Sequence, residues 1–406
     1  MGLARKATRN GCGARRDCYT TKSRLMNTIT LRQPPTIVFG TGSACRTTEI
    51  LVQQRCRRIL LVSSTPVLRT IQPLLEDFVR AGLTIVQAPP VDTEPTVATF
   101  ESALAVAGAN LVDAVVGIGG GSALDVAKLV AALAGGRQTV RDVFGTDLLD
   151  ERALFLVCAP TTAGTGSEVS PNAILLDETD QAKKGVVSRH LIPDAAVIDP
   201  VLTTTVPPMT TAATGFDALI HCIEAYANRN AHTVTDLYAL EGIRLIAANL
   251  LKAVRDGNNL DARTALALGS LYGGLCLGPV GTGAVHALAY PLGGQFRVAH
   301  GVANAVLAPH VLRFNLSAAP ERYAEIALAL GVEQGPNAFT TAERGIALLA
   351  ELLKASGLPD RLSALGLGAD TIPALARAAM QVTRLLKNNV RPLTEADAIQ
   401  IYKQAW

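Results

Sequence analysis

Four side chains between residues 217 and 300 have the types and spacing of a divalent-metal site. Asp217 and His221 lie four apart within Thr214-Gly-Phe-Asp-Ala-Leu-Ile-His, so on a helix they stack on one face about a turn apart. The stretch from Asp217 to Tyr226 contains neither Pro nor Gly, which predicts that helix. His286 and His300 follow. One carboxylate and three imidazoles complete a four-ligand set with an open position for a substrate oxygen. An isolated Asp-x-x-x-His pair packs more often than it binds metal. Here the chain has only six His, and His221, His286 and His300 all fall in apolar, Gly-rich surroundings where an unpaired imidazole is costly.

A second stretch has phosphate-binding chemistry. From Asp113 to Lys128 an apolar strand runs into Gly119-Gly120-Gly121-Ser122, and a helix follows. Glycines let the backbone approach a ligand closely, and the N–H groups and dipole of a helix start attract phosphate. Ser122 is the expected N-cap. The run is not GxGxxG, and a plain strand–turn–helix would look the same. Another buried strand over residues 154–160 leads into Thr161-Thr-Ala-Gly-Thr-Gly-Ser-Glu168, a second small, hydroxyl-rich loop. Ligands of open α/β sheets sit at the carboxyl ends of strands, so both loops point to one phosphate-bearing ligand.

The elements that must position these groups fall into two halves. Expected strands over 36–39, 58–63, 83–87, 113–119, 154–160 and 195–199 alternate with helices over 43–53, 67–81 and after Ser122. Such alternation predicts a parallel sheet with helices on its faces. After Pro207 helical periods dominate, over about 210–229, 235–255, 261–278, 342–356, 372–383 and 395–404. The expectation is an α/β domain over 27–206, an all-helical domain over 207–406 carrying all four ligands, and a cleft between them.

Composition bounds the function. At 406 residues, 49% hydrophobic and 17% charged, the chain suits a compact two-domain protein with ample core. No apolar run is long enough to span a bilayer, and 4% aromatic content argues against stacking on nucleic acid. Residues 1–26 hold seven Lys or Arg against one Asp, so the rest of a chain totalling +3 is mildly acidic. That leader has two readings, a transit-type segment or a disordered or untranslated stretch upstream of a start at Met26, and the missing amphipathic period favours the second. Seven cysteines without a CxxC pair suit free thiols in a reducing cytoplasm. Cys222, beside His221, is expected to pack.

Taken together, Phe39-Gly40, Gly119 to Lys128, Pro160 to Glu168, Asp217-x3-His221, Gly283-Ala-Val-His286 and His300-Gly301 resemble the iron-containing (group III) alcohol dehydrogenase family over residues 27–406. The resemblance implies a Rossmann-like nicotinamide domain followed by a helical domain of the dehydroquinate synthase-like type. It implies Fe²⁺, sometimes Zn²⁺, on Asp217, His221, His286 and His300, with NAD(H) or NADP(H) as the second cofactor. Gly119, Gly120, Gly121 and Ser122 match the family's pyrophosphate loop, and Thr161, Thr162 and Thr165 the loop beneath the cofactor. Asp125 matches a further position in that loop's helix, and Lys184 is the candidate for the nicotinamide ribose. A cytoplasmic homodimer acting on a small alcohol or aldehyde is the family default, with no nucleic-acid or membrane partner.

Two departures from the family pattern stand out. Many relatives carry a second His four residues after the third ligand, where this chain has Tyr290. A phenol can donate or relay a proton but is a poor base at neutral pH. NAD-preferring relatives often carry an Asp where this chain has Ser64; its absence removes repulsion of a 2′-phosphate, with Arg69 nearby, and opens NADP(H) or dual use. Within the resemblance, a maleylacetate reductase, a phosphonoacetaldehyde or hydroxy-acid reductase, and a metal- and NAD-dependent lyase of the dehydroquinate synthase type remain alternatives.

Overall fold

The computed structural model describes residues 28–406, so the basic leader lies outside the described residues. Nine strands come first: β1 (Thr36–Phe39), β2 (Arg58–Val62), β3 (Thr84–Gln87), β4 (Ala114–Gly119), β5 (Gly145–Thr146), β6 (Phe155–Pro160), β7 (Asn172–Asp177), β8 (Ala182–Val187) and β9 (Ala195–Ile198). Six of them form an all-parallel sheet in the order β1-β9-β6-β4-β2-β3. Ile59 to Val62 and Ala114 to Val116 are completely buried. That matches their unbroken apolar runs, because a parallel sheet is covered on both faces. The covering helices are α1 (Arg46–Gln53), α2 (Thr65–Thr70), α3 (Gln72–Arg80), α4 (Val97–Asn110) and α5 (Gly121–Leu133).

The single helix expected over 67–81 is two, α2 and α3, broken at Ile71 (φ −96°, ψ 10°). Pro73 has no N–H to donate and its ring would clash with the carbonyl four residues back, so one continuous helix is excluded. Ser122 is not the cap of α5; Gly120 is, and Ser122 sits in the first turn. The sequence reading also missed a small sheet of order β5-β8-β7. Its β7–β8 hairpin joins two runs across Asp177-Glu-Thr-Asp-Gln181, a turn-rich signal, but the two lysines of β8 disguise its half-buried strand.

Helices make up the rest: α6 (Pro208–Tyr226), α7 (Thr233–Arg255), α8 (Leu260–Leu277), α9 (Ala284–Phe296), α10 (His300–Leu316), α11 (Pro320–Leu330), α12 (Ala338–Ala355), α13 (Ile372–Met380), α14 (Thr383–Leu386) and α15 (Glu395–Ala405). Pro208 opens α6 at a position where its missing N–H costs nothing. Phe216, Leu219, Ile220 and Ile223 are completely buried, each contributing about 1.5–3 kcal/mol. This helix is the centre of the half, with α7, α8 and α10 packed around it. Helices α9, α10 and α11 were not expected. Pro291 and Pro309 sit inside the first two, where Pro opposes a helix; near-complete burial overrides that local preference. Among the described residues, no helix is long and apolar enough to cross a membrane.

Candidate metal centre and cofactor cleft

The carboxylate and the three imidazoles converge. Asp217 and His221 lie one turn apart on α6, while His286 comes from the first turn of α9 and His300 opens α10. Ligand atoms of Asp217, His221 and His286 all lie within 4.8 Å of one another. From Asp217 Oδ1, the Nε2 atoms of His221, His286 and His300 are 4.0, 3.5 and 3.6 Å away. Donors held by a tetrahedral metal at roughly 2.1 Å sit about 3.4 Å apart, so these separations have the scale of ligands around an ion. Close helix approach makes this possible: a Cβ on Gly301 would lie 2.1 Å from the Ala213 carbonyl oxygen, so only Gly lets α10 start against α6.

The donor set fits a metal by its protonation as well. Nδ1–H of His221 donates to the Gly164 carbonyl (3.2 Å) and Nδ1–H of His286 to Glu224 Oε2 (2.6 Å). Each bond fixes the tautomer that leaves Nε2 bare, the usual arrangement around a ligating imidazole. His286 Nε2, His300 Nδ1 and Asn304 Oδ1 are buried without a hydrogen-bond partner, and orphaned polar atoms in such a cluster call for an explanation. Burial alone would raise Asp217, yet His221, His300 and His286 hold it well below the usual carboxylate range. Burial lowers His221, and it takes His300 down to about 3 despite Asp217. An ionised carboxylate beside neutral imidazoles is the state metal binding requires. His286 stands apart: burial lowers it, but the Glu224 and Asp217 carboxylates hold it up at about 9.

Two supporting residues escaped the sequence reading. Glu224, one helical turn beyond His221, accepts from Gly283 N (2.9 Å), Val285 N (2.6 Å) and His286 Nδ1. It therefore caps α9 from α6 and orients His286 together. Asn304, completely buried one turn after His300, donates to Asp217 Oδ1 (2.7 Å). An acid three residues after a ligand His, and an amide four after another, were the signals available.

A cavity of about 1210 Å³ joins this centre to the glycine-bearing loops. Strands β4 and β6 are neighbours, so the loops that follow them lie side by side, and Thr161 N donates to Gly119 O (2.9 Å). Gly120, Gly121, Ser122, Asp125, Thr162 and Thr165 line the cavity; Gly119 and Thr161 stand just behind it. A Cβ on Gly121 would meet Thr165 Cγ2 at 2.5 Å, which explains the glycine there. Asp125 accepts from Ser167 Oγ (2.6 Å) and Ile174 N (2.9 Å). One turn on, the buried Lys128 ammonium donates to the Ser167, Ser170 and Asn172 carbonyls. Together they pin the second loop to α5.

Two expected cofactor contacts are placed elsewhere. Lys184 pairs with Asp177 (2.8 Å) and Asp180 (2.7 Å) and is turned away from the cavity. Successive strand residues face opposite sides, so its neighbour Lys183 enters instead, 3% exposed and paired with Glu94 (2.7 Å). Ser64 is the N-cap of α2 and lies off the cavity wall. Beside it, Asp92 accepts from both the N–H and the hydroxyl of Thr65 at 2.7 Å, so a carboxylate stands one residue from Ser64 although β2 supplies none. Tyr290 lines the cavity with its ring centroid 6.0 Å from that of His300, edge-on. Burial pushes its phenol above the ordinary value while Arg384 pulls it back.

Known proteins resemble this chain in sequence and fold. Residues 34–200 match the profile described as iron-containing alcohol dehydrogenase, and residues 211–406 the one described as Fe-containing alcohol dehydrogenase family, C-terminal. The chain is 42% identical over 320 residues to the long-chain-alcohol dehydrogenase 1 of Geobacillus thermodenitrificans, covering 77% of this chain and 80% of that one. It is 33% identical over 375 residues to the NAD-dependent methanol dehydrogenase of Bacillus methanolicus, covering 92% and 98%. The crystal structure of a 1,3-propanediol oxidoreductase superposes with a TM-score of 0.90 at 34% identity, covering 94% of this chain and 100% of the other.

Proposed function

The chain belongs to the iron-containing alcohol dehydrogenase family, and from that premise we propose that it is a metal-dependent, NAD(P)-linked alcohol dehydrogenase and aldehyde reductase. One observation carries the reading. A single cavity is lined at one end by Asp217 and three imidazoles, two of which (His286 and His300) have a buried nitrogen without a hydrogen-bond partner, and at the other by the helix-start loops suited to a pyrophosphate.

We assign the metal to Asp217, His221, His286 and His300, and the dinucleotide to Gly120, Gly121, Ser122, Thr162 and Thr165. Residues 27–206 would bind the cofactor and 207–406 the metal. The bound groups supply Lewis acidity toward the substrate oxygen and a hydride donor or acceptor. The protein's own part is placement. Glu224 and Gly164 hold two imidazoles in the ligating tautomer, Asp125 and Lys128 keep the second loop against the first, and the small residues of the loops admit the pyrophosphate. Tyr290, with its phenol kept protonated by burial, is positioned to hand a proton toward the product oxygen and to take it back in the reverse direction.

Related enzymes act on substrates from methanol to long-chain alcohols, so their names leave chain length open; a small alcohol or aldehyde is our assignment, in a cytoplasmic homodimer. The test is metal content of anaerobically purified protein together with NADH and NADPH oxidation over short aldehydes. About one Fe or Zn per chain with aldehyde-dependent oxidation is expected. Full activity in metal-free protein would overturn the reading, and metal without net oxidation would favour a lyase.

A further inference from the structure

The cavity wall contains a cation that the chemistry above does not use. Arg384 sits on α14, which packs against α9, and its guanidinium lies along β8 in the space left by Gly185, where a Cβ would be 3.8 Å from Nη2. It is half-buried. Among the described residues it has neither a hydrogen-bond acceptor nor a carboxylate partner. The other partly or fully buried Lys and Arg among the described residues differ: Lys128 is held by carbonyls, Lys183 by Glu94, Lys184 by Asp177, Arg152 by Asp194, Arg263 by Gly257 and Val206, Arg322 by Asp236, and Arg391 by the Phe314 carbonyl. Withdrawing a guanidinium from water without a partner is costly, and five fixed N–H donors are suited to a planar oxyanion.

Its position says which anion. The pyrophosphate cradle at Gly120 to Ser122 lies at the start of α5. Arg384 instead lines the cavity from α14, which packs on α9, the helix that carries His286 and Tyr290, and Tyr290 packs edge-on against His300. The guanidinium therefore shares the cavity with the reacting centre on its α9 side, on the same face of β8 as Lys183. Lys183 is already neutralised by Glu94, so Arg384 is the one free positive charge on that wall among the described half-buried residues.

We propose that Arg384 receives an anionic terminus of the substrate, so that the preferred carbonyl compounds are short oxo-acids bearing a carboxylate or a similar oxyanion at the end remote from the aldehyde. This rests on the dehydrogenase reading. The reaction is 4-oxobutanoate with NAD(P)H and a proton giving 4-hydroxybutanoate and NAD(P)⁺, the hydride forming the new C–H bond and the proton the new O–H bond.

The experiment compares kcat/KM for 4-oxobutanoate and for butanal, a matched four-carbon pair, in metal-loaded wild type, Arg384→Met and Arg384→Gln. Wild type is expected to favour the charged substrate. Both variants should lower the ratio of the two kcat/KM values by about 10- to 100-fold, mainly through the KM of the oxo-acid. An unchanged ratio overturns the proposal, as does a rise in the KM of NAD(P)H with the ratio intact, which would give the cation to the cofactor. Calorimetric binding of 4-hydroxybutanoate against butan-1-ol separates the two readings. A charged-ligand preference lost in both variants upholds Arg384 even if neither aldehyde turns over, in which case only the dehydrogenase assignment falls; no preference in wild type overturns Arg384 whatever the turnover.

Discussion

Replacing Glu224 by Gln tests whether the metal centre depends on an orienting carboxylate. All three hydrogen bonds to Glu224 come from donors: Gly283 N and His286 Nδ1 to Oε2, Val285 N to Oε1. A carboxylate accepts from every one of them. A glutamine amide offers one oxygen and one NH₂, so one side must meet a donor with a donor. If the NH₂ faces His286, the imidazole can accept it only by moving its own proton to Nε2, the atom that lies 3.5 Å from Asp217 and must stay bare to ligate. If the NH₂ faces Val285, a buried N–H at the start of α9 loses its acceptor. Loss of an orienting partner of this kind typically weakens metal binding about 10- to 100-fold, or roughly 1.4–2.7 kcal/mol. The stranded N–H adds about 1–3 kcal/mol to the cost of folding. Competition with a chromophoric chelator gives the metal affinity, and urea unfolding of metal-free protein gives the stability. A metal Kd within twofold of wild type, with stability lowered, would refute the orienting role and leave Glu224 only as the cap of α9.

Three further perturbations have expected outcomes. Glu168 is 2% exposed and its carboxyl is pushed up to about 7 by burial, from 4.5. Between those values the folded chain keeps a proton at Glu168 that the unfolded chain releases, so this group's contribution to stability is full at low pH and falls by about 3 kcal/mol as pH rises through the window; Glu168→Gln should remove that contribution to the slope between pH 5 and 8 in urea titrations, and an unaltered slope would contradict this. Lys183→Ala should raise the KM of the nicotinamide cofactor by about tenfold, whereas Lys184→Ala should not; equal effects in initial-rate kinetics would show that the strand's alternation is misassigned. Asp92→Asn should shift the ratio of NADPH to NADH efficiency upward by about five- to tenfold by removing a charge that repels a 2′-phosphate, and an unmoved ratio would place cofactor choice elsewhere.

The sequence by itself determined the parts whose signals are local. Unbroken apolar runs gave β2, β4 and β6, because a strand buried on both faces needs no alternation. The glycines after β4 and the hydroxyls after β6 marked the candidate phosphate-binding edge, and the four-residue step from Asp217 to His221 set two candidate ligands on one face of α6. Tertiary structure decided what distance in the chain conceals. Helices α9 and α10 carry Pro and Gly that oppose helix formation locally, and they exist because burial against α6 outweighs that cost. His286 and His300 reach Asp217 only through those helices. Glu224 could be recognised as the partner of His286 only once α6 and α9 were packed, since a separation of 62 positions leaves no periodic trace. The choice of Lys183 over Lys184 rested on which face of β8 looks inward, a one-residue matter that a half-buried strand with adjacent lysines does not encode. Local propensity and periodicity fix elements, whereas the protonation, pairing and direction of a site's side chains depend on contacts that only the packed chain makes.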